Sequence, residues 1–203
     1  CRNSILMKLN QFEFKLLVGR LRRLVQEHVD IKQWQKLGAK QYPMGKALDI
    51  GCGQGHGIKL ALSKFKVSQV DAFDIDERML TISRAVTKSL CDVNISNNSA
   101  TQISADNESY DVVFDYQVLH HIVDWQAAVR EAYRVMRPNA QLMIAESLPG
   151  LIEKSWWGRR MDHPQENRFT AQQLQTELHD VGFTLSKPRT LGDHFIWLVA
   201  TKN

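Results

Sequence analysis

The spacing of apolar residues along this chain changes near residue 46. Upstream, Ile5, Leu9, Phe12, Leu16 and Leu17 recur at helical spacing, as do Leu21, Leu24, Val25, His28, Val29 and Ile31. This predicts one or two amphipathic helices over 4–37, with Gly19 a candidate break, and then a linker at 36–45 rich in turn residues. From Lys46 onward, short apolar runs alternate with helical patterns. Strands are expected at 46–50, 69–74, 93–97, 110–115, 140–146, 182–187 and 194–201, and helices at 56–65, 77–89, 124–136 and 170–181. Strands separated by helices need crossover connections, so the expected fold class is α/β: a doubly wound, mainly parallel, seven-stranded sheet. Only Pro188–Asp193 joins the last two strands, short enough for an antiparallel hairpin that reverses the last one. The expected division is an N-terminal helical extension or lid at 1–45 and one domain at 46–203.

The densest chemistry lies where the first strand meets the first helix. Residues 47–57 read Ala-Leu-Asp-Ile-Gly-Cys-Gly-Gln-Gly-His-Gly. A strand, a tight glycine turn and a helix follow one another, and the free N–H groups of the helix start point at whatever occupies the turn. Asp49 stands just before that turn, where a carboxylate meets a cationic group. A ligand carrying both an amine and a carboxylate fits the combination. The dinucleotide fingerprint G-x-G-x-x-G fails in both registers, because its third glycine falls on His56 or on Ile58. The second strand ends on Asp74, 23 residues after Gly51, the place where doubly wound folds put an acid that binds ribose hydroxyls. A helix-capping role is open to the same stretch and suits Asp76 better.

The Asp-x-Gly-x-Gly-x-Gly turn resembles the first motif of the class I S-adenosylmethionine-dependent methyltransferases. Tyr110–Asp115, running into Tyr116-Gln-Val-Leu-His-His-Ile-Val-Asp124, resembles the family stretch that passes beneath the methionine half of the cofactor. The resemblance covers about 47–201, and the subgroup is similar to the small UbiE-like methyltransferases (methyltransferase type 11), which include quinone and phospholipid modifiers. It implies a Rossmann-like methyltransferase fold and S-adenosylmethionine as cofactor, with S-adenosylhomocysteine as product. It assigns to the cofactor Asp49, Ile50, Gly51, Cys52, Gly53 and Gly55 from the turn, and Asp74, Ile75 and Met79 from the second strand and its helix. Ser99, Ala100, Asp115 and Tyr116 complete the set. Two departures stand out: Ser99 occupies a position where the family often has an acid for the adenine amino group, and Pro138-Asn139-Ala140 replaces a Pro-Gly-Gly turn.

Methyl transfer from a sulfonium requires nucleophile, methyl and sulfur in line and water excluded; a general base matters when the acceptor carries a proton. His120 and His121 are the candidates, and in a helical turn at most one faces the pocket, His121 being preferred. Packing at the strand end is the alternative for each. Asp115 and Tyr116 are further base candidates. On the acceptor side stand Tyr116, His121, Trp156, Trp157 and Arg160; the tryptophans are equally suited to packing against the N-terminal helices, and Arg160 to a solvated surface.

The chain has 203 residues, 43% hydrophobic and 24% charged, as expected for a globular protein of one domain, and no run long enough to span a membrane. Its start, Cys1-Arg2-Asn3-Ser4, shows no signal-peptide core, and the missing initiator Met suggests a truncated or processed chain. Three scattered cysteines suit a reducing compartment and offer no metal site, so a cytoplasmic location is expected. The formal charge of +4 is uneven: residues 1–50 carry +6 and the remainder −2. A basic amphipathic N-terminus fits a lid over the cleft, or peripheral contact with an anionic inner membrane face. It lacks the interleaved aromatics that stack bases, which disfavours nucleic acid. The expected function is methyl transfer to a small-molecule or lipid-like acceptor. The alternatives are an RNA methyltransferase using the basic arm, or a catalytically silent cofactor-binding partner subunit. Acceptor atom and oligomeric state stay open.

Overall fold

The computed structural model describes residues 20–43, 45–154 and 166–203. Strand β1 (Lys46–Ile50) is buried along nearly its whole length, and β4 (Tyr110–Tyr116) likewise. Such strands belong in the middle of a sheet covered on both faces. β1 pairs in parallel with β2 (Gln69–Asp74) on one side and β4 on the other, Ile50 standing opposite both Phe73 and Asp115. Parallel pairing continues outward to β3 (Val93–Asn97) and to β5 (Met136–Ser147). The last strand, β8 (Phe195–Lys202), runs antiparallel to β5, a reversal that the short connection before it allows. The order is β3-β2-β1-β4-β5-β8-β6, so the winding reverses between β1 and β4, and ligands of open α/β sheets bind outside the carboxyl ends at such a switch point.

Two expected boundaries moved. The strand expected at 182–187 shortens to β6 (Phe183–Leu185), and the expected connection 188–193 holds a further strand, β7 (Arg189–Leu191); both pair with β8. Pro188, which has no N–H to give to a ladder, lies in the gap, and Gly192 at φ +56° closes a tight hairpin from β7. β5 begins at Met136, opposite Tyr110, and reaches its regular register only past an irregularity.

One face of the sheet is covered by α1, a continuous helix over 20–36, and α2 over 56–65. α3 (Glu77–Thr87) lies over β2 and β3, capped by Asp76, whose side chain accepts the Arg78 N–H. The opposite face is covered by α4 (Trp125–Val135) and α6 (Ala171–Val181); the short α5 (Pro149–Lys154) follows β5. The described part of the N-terminal extension is built into the core. Trp34 is fully buried, its Nε1 donates to the Ile144 carbonyl at 2.8 Å, and its ring packs 4.9 Å from that of Tyr116. Asp30 accepts the Trp197 Nε1–H at 2.7 Å, tying α1 to β8. Residues 4–19 of the expected helices lie outside the described residues. No described helix is long and apolar enough to cross a membrane.

Candidate active site at the switch point

The carboxyl ends of β1, β2 and β4 open into one cleft, walled by the glycine turn, α1 and the turn 117–122. Gly51 adopts φ +61°, and a Cβ there would lie 2.6 Å from Val118 Cγ2, so a side chain is barred by both conformation and space. A Cβ on Gly53 would meet nothing within 4 Å, which leaves that backbone open to a ligand.

Asp49 is 1% exposed, lines the cleft, and has no hydrogen-bond partner on either carboxylate oxygen. Burial, with Asp74 and Asp115 nearby, pushes its pKa well up. A buried acid without donors is costly, and the arrangement is explained when a cationic ligand group completes it. Asp74 accepts the Gly53 N–H through one oxygen and the Asp76 N–H through the other, both at 2.9 Å, and still lines the cleft. It is therefore the buttress of the glycine turn as well as a rim acid.

Gly51, Cys52, Gly53, Ile75, Met79, Ser99, Ala100, Tyr116 and His121 join Asp49 and Asp74 on the cleft wall. Four expected residues do not. Ile50 alternates with Asp49 along β1 and is buried in the core with Leu48 and Phe73. Gly55, at φ +77°, precedes α2, and a Cβ there would lie 2.6 Å from Ser83 Oγ. Asp115 is buried behind the wall, accepting the Val118 N–H at 3.0 Å. His120 turns away into a second, small cavity that it shares with Trp125 and Phe169. The expected divergence of the two histidines thus holds: Leu119–His121 form a single helical turn that sends His121 to the cleft and His120 to the back. Tyr116 is no base at neutral pH, since burial, with Asp49 and Asp30 close by, drives its phenol well up. Trp156, Trp157 and Arg160 lie outside the described residues.

Sequence reasoning passed over Arg22 and Gln26, which α1 brings to the cleft. Arg22 donates to the Tyr116 carbonyl at 2.9 Å and lies 3.9 Å from Asp30. It also passed over Glu146, 0% exposed at the end of β5.

Residues 48–144 match the family described as "Methyltransferase domain". That stretch, just under half of the chain, is similar to a methyltransferase domain. Demethylmenaquinone methyltransferase of Staphylococcus aureus is 29% identical over 121 residues, 57% of this chain and 50% of that protein. The chain spans about half the length of the curated relatives it matches. A SAM-dependent methyltransferase from Aquifex aeolicus superposes with a TM-score of 0.74 at 19% identity, over 97% of this chain and 100% of that one. The cyclase SpnF superposes at 0.67 and 16% identity, over 91% of this chain and 95% of its own. At such identities the likeness establishes a fold, and a cyclase among the neighbours shows that the fold alone does not choose the reaction. The cleft residues fit S-adenosylmethionine: an unpartnered buried acid for an amine, a rim acid for a ribose, an open glycine backbone, and Ile75, Met79 and Ala100 as apolar walls.

Proposed function

We propose that the chain transfers the methyl group of S-adenosylmethionine to a small, lipid-like acceptor of the quinone class, in its reduced, hydroxyl-bearing form. The observation that carries the cofactor reading is Asp49, buried in the cleft with both oxygens unpartnered. The acceptor class is drawn from the demethylmenaquinone methyltransferases among the relatives. When bound, the cofactor supplies an electrophilic methyl on a sulfonium sulfur.

The residues divide the work as follows. Asp49 takes the cationic amine, the Gly51–Gly53 backbone offers N–H groups, and Asp74 receives ribose hydroxyls while holding the Gly53 N–H. Ile75, Met79 and Ala100 flank the adenine, with Ser99 supplying polar contact at its edge. Val118 and Ile122 keep water from the reacting end. His121 stands on the acceptor side as the base that takes the acceptor's proton. Trp156, Trp157 and Arg160 are assigned to the acceptor by sequence reasoning alone. The functional unit runs from α1 onward, because Arg22 and Gln26 belong to the cleft. The basic residues before α1 are assigned to closing the cleft and to peripheral contact with the membrane that holds such an acceptor, on the cytoplasmic side.

Calorimetric titration with S-adenosylmethionine, S-adenosylhomocysteine and NADH, followed by labelled-methyl transfer to reduced demethylmenaquinone in detergent, tests the reading. Binding of the two sulfur ligands alone, with label in the quinone, is expected. Binding without transfer to quinone, phospholipid or RNA would leave a silent cofactor-binding subunit, and label entering RNA would replace the acceptor class.

A further inference from the structure

Methyl transfer, as assigned above, leaves two buried acids without a task. Glu146 and Asp115 lie behind the cleft wall, 0% and 1% exposed. Glu146 Oε1 accepts the Leu119 N–H at 2.7 Å; its Oε2 accepts the Ser147 N–H at 3.1 Å and lies 2.5 Å from His120 Nδ1. Asp115 accepts the Val118 N–H at 3.0 Å. Three successive residues, 118 to 120, are therefore each held by a buried carboxyl group. The turn they form is closed by His121 N–H to the Val118 carbonyl at 2.9 Å. The His120 ring, fixed at Glu146, lies 4.1 Å from the His121 ring, centroid to centroid.

The protonation of this group follows from its surroundings. Burial and the neighbouring Glu146 push the Asp115 pKa well up. Burial raises Glu146 as well, to about 7, against the pull of the backbone donors that serve both of its oxygens. Burial, with Arg22 nearby, holds His120 neutral. A neutral imidazole 2.5 Å from a carboxylate presents Nδ1–H to it, which fixes both tautomer and ring plane.

We infer that Glu146 is a positioning residue for the methyl-transfer reaction: by binding Leu119 and His120 it sets the imidazole of His121 at the acceptor side of the cleft. A carboxylate suits this task better than an apolar side chain, because a buried acid is tolerated only in the geometry that supplies its donors, and that geometry is the turn. The His121 ring packs against a neighbouring ring whose own nitrogen is tied down.

The inference rests on the methyltransferase reading, and the full chain tests both separately. In Glu146→Gln the amide oxygen keeps an acceptor for Leu119, while the amide NH2 facing His120 forces its Nδ1 to accept. Long-range 1H–15N spectra are expected to show His120 moving from the Nδ1–H to the Nε2–H tautomer, with the His121 ring signals shifting in step. S-Adenosylmethionine affinity is expected to stay within about twofold, while kcat for reduced demethylmenaquinone falls by on the order of 10²-fold. His120→Asn, which keeps a donor near Glu146 but removes the ring against His121, is expected to show the same kcat loss at unchanged cofactor KM, and serves if Glu146→Gln does not fold. Unmoved His121 signals in Glu146→Gln, or an unchanged kcat in either variant, would overturn the inference. Loss of cofactor affinity in step with kcat would overturn it too, by showing a scaffold role only. An inactive wild type would count against the acceptor or the reaction, and the His121 signals would still decide the positioning.

Discussion

At the amino ends of the strands, charge is matched by charge. Lys46 Nζ lies 2.8 Å from Asp71, Tyr110 donates to the same carboxylate at 2.9 Å, and Asp111 takes both Arg137 and the Lys46 N–H at 2.7 Å. At the carboxyl ends of the same sheet, Asp49, Asp74, Asp115 and Glu146 gather on β1, β2, β4 and β5, with Arg22 as the one permanent cation lining the cleft among the described residues. The first end is arranged for the folded chain alone. The second keeps an imbalance that a cationic ligand relieves, and stability is given up there for binding.

Substitutions at the two ends should therefore separate binding from folding. Asp49→Asn is expected to have the largest effect, weakening S-adenosylmethionine binding by about 2–5 kcal/mol, the range for one partner of a buried charge pair. The ligand-free chain should melt at the same or a higher temperature, because an orphaned acid has gone; a lower melting temperature would make Asp49 structural. Asp74→Ala is expected to cost about 1.5–3 kcal/mol of cofactor affinity, and some stability as well, since the Gly53 and Asp76 N–H groups lose their acceptor. Unchanged affinity by calorimetry would remove it from the ribose.

The acid-rich end also fixes a pH dependence. Asp49, Asp115 and Glu146 all have pKa values raised by burial. An acid whose folded pKa is raised contributes stability in full below its unfolded pKa, and that contribution fades as pH climbs through the folded value. His120, held neutral by burial, adds stability as pH rises to its unfolded value of about 6.5. Above that, up to pH 8, the acids act alone and the ligand-free chain should lose roughly 1 kcal/mol, or a few degrees of melting temperature. Glu131, depressed by Arg134, works in the opposite sense, but its contribution is lost only as pH falls toward 4. Saturating S-adenosylmethionine should flatten the profile by giving Asp49 its partner. The smallest effect is expected at the other end: Asp111→Ala should cost roughly 1 kcal/mol of stability, with cofactor affinity untouched in the same titration.

What the sequence made legible was local. The glycine turn, Asp49 before it and Asp74 at the next strand end are each defined by neighbours within a few residues, and the alternation of strands and helices placed them at one edge of a parallel sheet. The different directions of His120 and His121 were legible too, because a helical turn separates adjacent side chains by a fixed angle. Arg22 and Glu146 were not. Arg22 reaches the cleft through Trp34 and Asp30, whose partners lie on β5 and β8, more than a hundred residues away. Glu146 meets the turn 117–122 only through the β4–β5 register, in which Tyr116 stands opposite Ala145. Ile50 and Gly55 were misplaced for a different reason: adjacency in a motif is not adjacency in space, since strand alternation sends Ile50 to the core and the helix start turns Gly55 toward Ser83.

The bond between Asp30 and Trp197 has a consequence for biosynthesis. α1 is made before the rest of the cleft wall that it completes, yet the strand that clamps it is made after every residue lining the cleft. A nascent chain that already holds the glycine turn, Asp49, Asp74 and both histidines still lacks a seated Arg22 until β8 slots in beside β5. Ligand capture during synthesis should therefore come late and all at once. Deleting residues 195–203, none of which lines the cleft, should abolish it.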